Sequence, residues 1–209
     1  MSKLQEVAAA VEKGKSKIVA GLVEEALAEG SSAVEILNSM IDAMSVVGEK
    51  FQRNEIFVPE MLVAARAMKK GVEPLKPLLA DAGAPKAGKV IIGTVAGDLH
   101  DIGKNLVAMM IESAGFEVID LGVDVPAEKF VEAVENDPEV NIVAVSALLT
   151  TTMPSMKTVV EALNASPARS RFKIMVGGAP ITQEFCDEIG ADYYTTDAAS
   201  AAQKAKEIA

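Results

Sequence analysis

Apolar residues recur at helical period through the first third of the chain: Leu4, Val7, Ala8 and Val11, then Ile18, Leu22 and Ala26 after Gly14, then Val34, Leu37, Ile41, Met44 and Val47. This spacing predicts three helices. Gly30-Ser31-Ser32 supplies a stop and an N-cap before the third, and Asn54 to Phe57 ends it ahead of Pro59, a residue suited to a first helical turn. Met61, Ala64, Ala65 and Met68 predict a fourth, so residues 1–83 are expected to form a four-helix bundle.

Beyond Leu79 the pattern changes. Ala80–Gly88 consists of small residues with Gly and Pro, the composition of an interdomain linker, and a second domain is expected over 84–209. There, short β-branched runs at Val90–Val95, Glu117–Leu121, Ile142–Val145, Lys173–Val176 and Tyr193–Thr195 alternate with helical stretches. The helices are expected at Ile102–Ala114, Ala127–Glu135, Ser155–Leu163, Thr182–Ile189 and Ala198–Ile208. Such alternation predicts an α/β domain, a five-stranded parallel sheet of flavodoxin-like (Rossmann-like) order covered on both faces.

Composition narrows the function. Half of the 209 residues are hydrophobic and 24% charged, which excludes a disordered chain, and one cysteine excludes a disulfide scaffold. No apolar run approaches the roughly 18 residues of a membrane span, and Met1–Glu12 is too polar for a signal peptide, so a cytoplasmic location and no membrane partner are expected. Twenty basic against 30 acidic residues give a net charge of −10, and residues 84–209 alone hold 18 acids and 10 bases. Such a surface repels a phosphate backbone, and without Trp it lacks stacking platforms, so nucleic acid is not expected as a partner.

In an open parallel sheet, ligands bind beyond the carboxyl ends of the strands. The loop after the first strand, Gly93 to Asn105, contains the only histidine, His100, two residues after Asp98. A metal-ligating imidazole commonly donates its other N–H to a carboxylate. One His and one Cys cannot build an all-protein zinc or iron site, but a metal already held in a macrocycle needs only one axial group.

Asp98-x-His100-x-x-Gly103 resembles the signature of cobalamin-binding domains, related to that of methionine synthase, in which the His replaces the cofactor's own benzimidazole as lower cobalt ligand. Ser146-Ala147-Leu148 after the third strand and Gly177-Gly178-Ala179 after the fourth resemble two further motifs of that family, in the same order. The resemblance implies that His100 is the metal ligand of cobalamin or a related corrinoid, and that Asp98 and Thr152 form a relay with it. It also implies cofactor contacts from Gly97, Asp101, Ile102 and Gly103 in the first loop, from Ser146, Leu148 and Thr150 in the next, and from Gly177, Gly178 and Ala179.

The residues also have plainer readings. Gly97, Gly103, Gly177 and Gly178 would let backbone approach a buried nucleotide tail, into which Ser146 could donate, yet Gly177-Gly178 also suits a tight turn. Ser146 and Thr150-Thr151-Thr152 equally suit helix capping before Met153-Pro154. Met44, Val47, Gly48, Phe51, Val58, Pro59 and Met61 read as bundle core, whereas the resemblance makes their junction a cap over the upper corrin face. Cys186 reads as structural.

The resemblance implies a methyl carrier that is not a complete enzyme alone. It would hold a methyl group on cobalt between a substrate-specific methyltransferase and a second methyltransferase with a tetrahydrofolate or thiol acceptor, and be maintained by a reductive activase. Donors of the family are methylamines, betaine, methanol and methoxyarenes, and Ser146–Pro154 with Gly177–Pro180 most resembles partners of trimethylamine-methyltransferase-like enzymes. Two alternatives stand beside it. A cobalamin-binding sensor normally adds a DNA-binding domain, and no basic helix-turn-helix stretch occurs here. An FMN-binding or receiver domain would use clustered acids such as Asp98, Asp101 and Asp120, with which the histidine and the later glycines fit poorly.

Overall fold

A computed structural model describes residues 2–81 and 87–209, so most of the expected linker lies outside the described residues. The chain divides into two compact units, Met1–Pro85 and Lys86–Ala209.

The first unit is helical: α1 Lys3–Glu12, α2 Val19–Ala28, α3 Ala33–Gln52, α4 Val58–Val72 and a short α5 Lys76–Asp81. Ser32 caps α3 reciprocally with Glu35, its hydroxyl accepting from the Glu35 N–H at 3.2 Å while its own N–H donates to the Glu35 carboxylate at 2.9 Å. Asn54, at φ 57°, turns the chain out of α3, and Pro59 opens α4 as expected. Helix α5 is too short for its periodicity to be read from sequence.

The expected Val7 and Val11 of α1 and Met61, Ala64, Ala65 and Met68 of α4 are buried, whereas the stripes of α2 and α3 are shifted in phase. Val19, Val23 and Ala26 of α2 are buried, whereas Ile18 precedes the helix and is 49% exposed. In α3 the buried set is Ala33, Ile36, Met40, Ala43, Met44, Val47 and Gly48. Valine and leucine occupy both flanks of these helices, so hydrophobicity alone leaves the phase open, and small residues decide it. Gly71 of α4 is one of them: a Cβ there would stand 2.4 Å from the Met40 Cε, so a larger residue would require the end of the Met40 side chain to move. Met44, Val47, Gly48 and Met61 are thus bundle core, while Phe57, Val58 and Pro59 lie on the surface.

The second unit is a parallel sheet of order β2-β1-β3-β4-β5. Its strands are β1 Lys89–Thr94, β2 Glu117–Asp120, β3 Val140–Ser146, β4 Lys173–Gly177 and β5 Tyr193–Tyr194. Helices α6 Ile102–Ser113, α7 Ala127–Asn136, α8 Met153–Ala165, α9 Gln183–Ile189 and α10 Ala198–Ile208 alternate with them. This is the expected flavodoxin-like order, with β1 between β2 and β3. Ile91, Val143, Val145 and Ile174 pack against Phe130, Met156 and Ile189 from α7, α8 and α9. The alternate residues Val90, Ile92, Ile142 and Met175 are buried as well, and α6 packs on α10, which covers the opposite face.

The register aligns Thr94 with Ser146 and Ser146 with Gly177, so three strands end level with one another. No helix among the described residues is long and apolar enough to cross a membrane.

Candidate functional site

Strand order reverses at β1, and the loops leaving β1 and β3 therefore diverge and open a crevice between them. Backbone bonds fix their roots: Val95 N–H donates to the Ser146 carbonyl at 3.1 Å, and Val125 N–H to the Thr94 carbonyl at 2.9 Å.

Asp98 lies in this crevice with no exposed surface. One carboxylate oxygen accepts from His100 Nδ1 at 2.8 Å and from the His100 N–H at 3.1 Å. The other accepts from the Leu148 N–H at 2.7 Å and from the Thr152 hydroxyl at 2.8 Å. Burial alone would raise its pKa, but the Leu148 N–H, both His100 donors and the Thr152 hydroxyl outweigh that effect and hold the carboxyl well below the usual carboxylate range. Facing the Asp98 carboxylate at 2.8 Å, Nδ1 is the donor, and in the neutral imidazole Nε2 then carries the unshared pair. The His100 side chain is 51% exposed, although its Nδ1 is held by the buried Asp98.

Thr94, fully buried at the end of β1, holds the same loop from beneath. Its hydroxyl donates to the His100 carbonyl at 3.0 Å and is 3.2 Å from the Ser146 hydroxyl, which is left to act as the donor to Thr94. Ser146 therefore has an internal partner and caps no helix. The three threonines form a 3-10 turn, Thr150–Thr152, and Thr152 makes no side-chain cap to α8, its hydroxyl lying 2.8 Å from the Asp98 carboxylate and 2.9 Å from the Leu149 carbonyl. Thr150 is exposed.

The four glycines separate into different roles. Gly178, at φ 135°, would place a Cβ 1.8 Å from the Ala147 carbonyl oxygen, so the backbone itself demands glycine there, and Gly177 faces the Thr195 carbonyl at 3.3 Å. Gly97 has φ 82° and lies beside the Thr152 methyl. Gly103, in the first turn of α6, has no atom within 4 Å of a Cβ, so nothing within its own unit explains a glycine. Around it Leu99 and Ile102 are 72% and 83% exposed, and Leu148 is half-exposed. A free imidazole nitrogen, a side-chain-free space and a rim of bare aliphatic groups fit the edge of a large, flat, apolar ligand with an axial position to fill.

Asp101, between His100 and Ile102, has its carboxylate turned along its own helix, where it accepts from the Asn105 amide at 3.2 Å. Asp120 pairs with the buried Lys104, and Asp98 faces His100, so the three acids of the receiver reading have separate partners. Among the described residues no group of three or more His, Cys, Asp or Glu could hold a metal ion. Ala179 is exposed beside the Gly178 turn.

Thr94 and Asp124 were not singled out from the sequence. A hydroxyl in the last position of a fully buried strand is a legible signal for Thr94. Asp124 has none, because its role depends on the loop after β1.

Comparison with known proteins places these features in a wider set. The B12 binding domain family matches residues 88–203, and a second B12 binding domain family matches residues 3–76. Dimethylamine corrinoid protein 1 of Methanosarcina acetivorans is 44% identical over 206 residues, which cover 98% of this chain and 96% of that protein. A cobalamin-binding protein from Desulfitobacterium hafniense DCB-2 superposes with a TM-score of 0.83 at 33% identity, covering 99% of this chain and 98% of that one. A chain of the methanol:cobalamin methyltransferase complex from Methanosarcina barkeri gives 0.83 at 30% identity, covering 99% of this chain and 79% of that chain.

Proposed function

The chain belongs to the B12 binding family, with one matched region in each of its two units, and from that premise we propose that it carries a methyl group on a bound corrinoid between methyltransferases. The observation that carries this reading is the His100 imidazole, fixed through Nδ1 by an ionised, buried Asp98 on a side chain that is half-exposed. A bound corrinoid supplies the cobalt centre that accepts and releases the methyl group.

This chain's own residues do the positioning. His100 Nε2 would ligate the metal, and Asp98 would keep the ring in the ligating tautomer and strengthen it as a base. Thr152 and the Leu148 N–H keep Asp98 ionised. The exposed Leu99, Ile102 and Leu148 would hold the cofactor through apolar contact, and Gly103 would leave it room.

A methylated amine is the donor, on the strength of the dimethylamine corrinoid relative, and a substrate-specific methyltransferase is the first partner, as in the methanol:cobalamin complex. The second partner is a methyltransferase with a tetrahydrofolate or thiol acceptor, and a reductive activase is the third. The setting is cytoplasmic. Adding hydroxocobalamin to the apoprotein tests the core of this: a stoichiometric spectral change that survives dialysis is expected, and a free-cofactor spectrum that dialyses away would overturn it.

A further inference from the structure

Asp124 is a non-glycine residue in left-handed backbone, at φ 54°, in the loop after β2. Its N–H donates to the Asp98 carbonyl at 3.0 Å, and its carboxylate accepts from the Gly97 N–H at 2.7 Å. These two bonds grip both ends of the Gly97-Asp98 dipeptide. The remaining backbone bond there, Asp98 N–H to the Val95 carbonyl, is internal to the loop, so among the described residues Asp124 is the outside brace on that main chain.

We propose that Asp124 is a positioning residue for the candidate ligand His100: by clamping Gly97-Asp98 it aims the Asp98 carboxylate, and through it the imidazole. The link to corrinoid binding rests on the function proposed above. Left-handed backbone disfavours any side chain, and Asp and Asn tolerate it best. Glycine would relieve that strain, so an exposed aspartate there points to use of its carboxylate.

The full-length chain with Asp124→Gly or Asp124→Asn tests this. Asp124→Gly relieves the backbone and removes the acceptor, whereas Asp124→Asn keeps an acceptor oxygen and tolerates the same φ. Expected for Asp124→Gly in the apoprotein are a melting temperature at or above that of the parent, Gly97 amide exchange about tenfold faster, and a His100 ring that no longer shows a single Nδ1–H tautomer by nitrogen NMR. Corrinoid affinity should fall by about tenfold, with Asp124→Asn restoring all of these to near the parent. Parental exchange, tautomer and affinity in Asp124→Gly would overturn the proposal. So would a drop in melting temperature that accounts for every other change and that Asp124→Asn does not rescue. If the parent itself fails to bind corrinoid, the functional reading falls, while the two apoprotein NMR readouts still decide whether Asp124 positions His100.

Discussion

The Thr152 hydroxyl meets the Asp98 carboxylate at 2.8 Å across 54 residues of sequence. This contact joins the loop after β1 to the turn before α8 and completes the set of donors on one buried charge. Thr152→Ser keeps the donor and should leave stability within about 0.5 kcal/mol, whereas Thr152→Val removes it and should cost about 1–2 kcal/mol in chemical denaturation.

Asp98→Asn is isosteric yet not mild. The amide oxygen can still accept from His100, and the Thr152 hydroxyl can turn to the Leu149 carbonyl at 2.9 Å and accept from the new NH2, but that NH2 also opposes the Leu148 N–H, which can only donate. A loss of about 2–4 kcal/mol is expected, larger than for Thr152→Val, and a denaturation series on the three variants checks the order.

Gly103→Ala and Gly178→Ala should behave oppositely. The first adds a methyl to open space in a helical turn, so the apoprotein should melt at or slightly above the parental temperature while corrinoid retention falls. The second drives a Cβ into the Ala147 carbonyl and should lower the melting temperature whether or not corrinoid is added. Equal corrinoid retention by Gly103→Ala and the parent would remove Gly103 from the binding surface.

Lys104 and Asp120 should be unequal partners. The Lys104 side chain is 2% exposed, and that of Asp120 is 40% exposed. Lys104→Met leaves a carboxylate that water can reach, and a cost of about 1 kcal/mol or less is expected. Asp120→Ala strands a buried ammonium on the Asn105 amide alone and should cost about 2–3 kcal/mol, read by the shift in denaturant midpoint.

Cys186 is buried, and burial pushes its thiol up to about 11. At pH 8 its alkylation should run at least about 100-fold slower than that of the unfolded chain, because so little thiolate forms. Stability held by the neutral thiol is complete below about pH 9 and declines as pH rises towards 11, since the unfolded thiol ionises first. Equal labelling rates in native and denatured protein would contradict this burial.

Strand and helix order in the second unit was legible because fully buried strands read as continuous β-branched runs, and the Val90–Val95 and Lys173–Val176 expectations fall within one residue of β1 and β4. The bundle's helices were legible, but the phase of α2 was not, since Ile18 and Val19 are equally apolar and only one lies within the helix. At the site, the Asp98 and His100 spacing was visible. The resemblance also set Thr152 beside them, whereas the clustering of Thr94 and Asp124 around that pair was not legible, because it is set by how level the strands end. The separate roles of Gly103 and Gly178 were also hidden, since only the surrounding space distinguishes one glycine from another.

The chain has one histidine, so the proposed axial ligand can be labelled without ambiguity. Protein grown with histidine containing nitrogen-15 should be loaded with a Co(II) corrinoid and its electron paramagnetic spectrum compared with that of unlabelled protein. The account predicts that the nitrogen hyperfine triplet on the high-field lines becomes a doublet, as ligation by the His100 imidazole requires. A triplet unchanged by the label would mean that the cofactor keeps its own base, and would contradict the assignment of His100 as ligand.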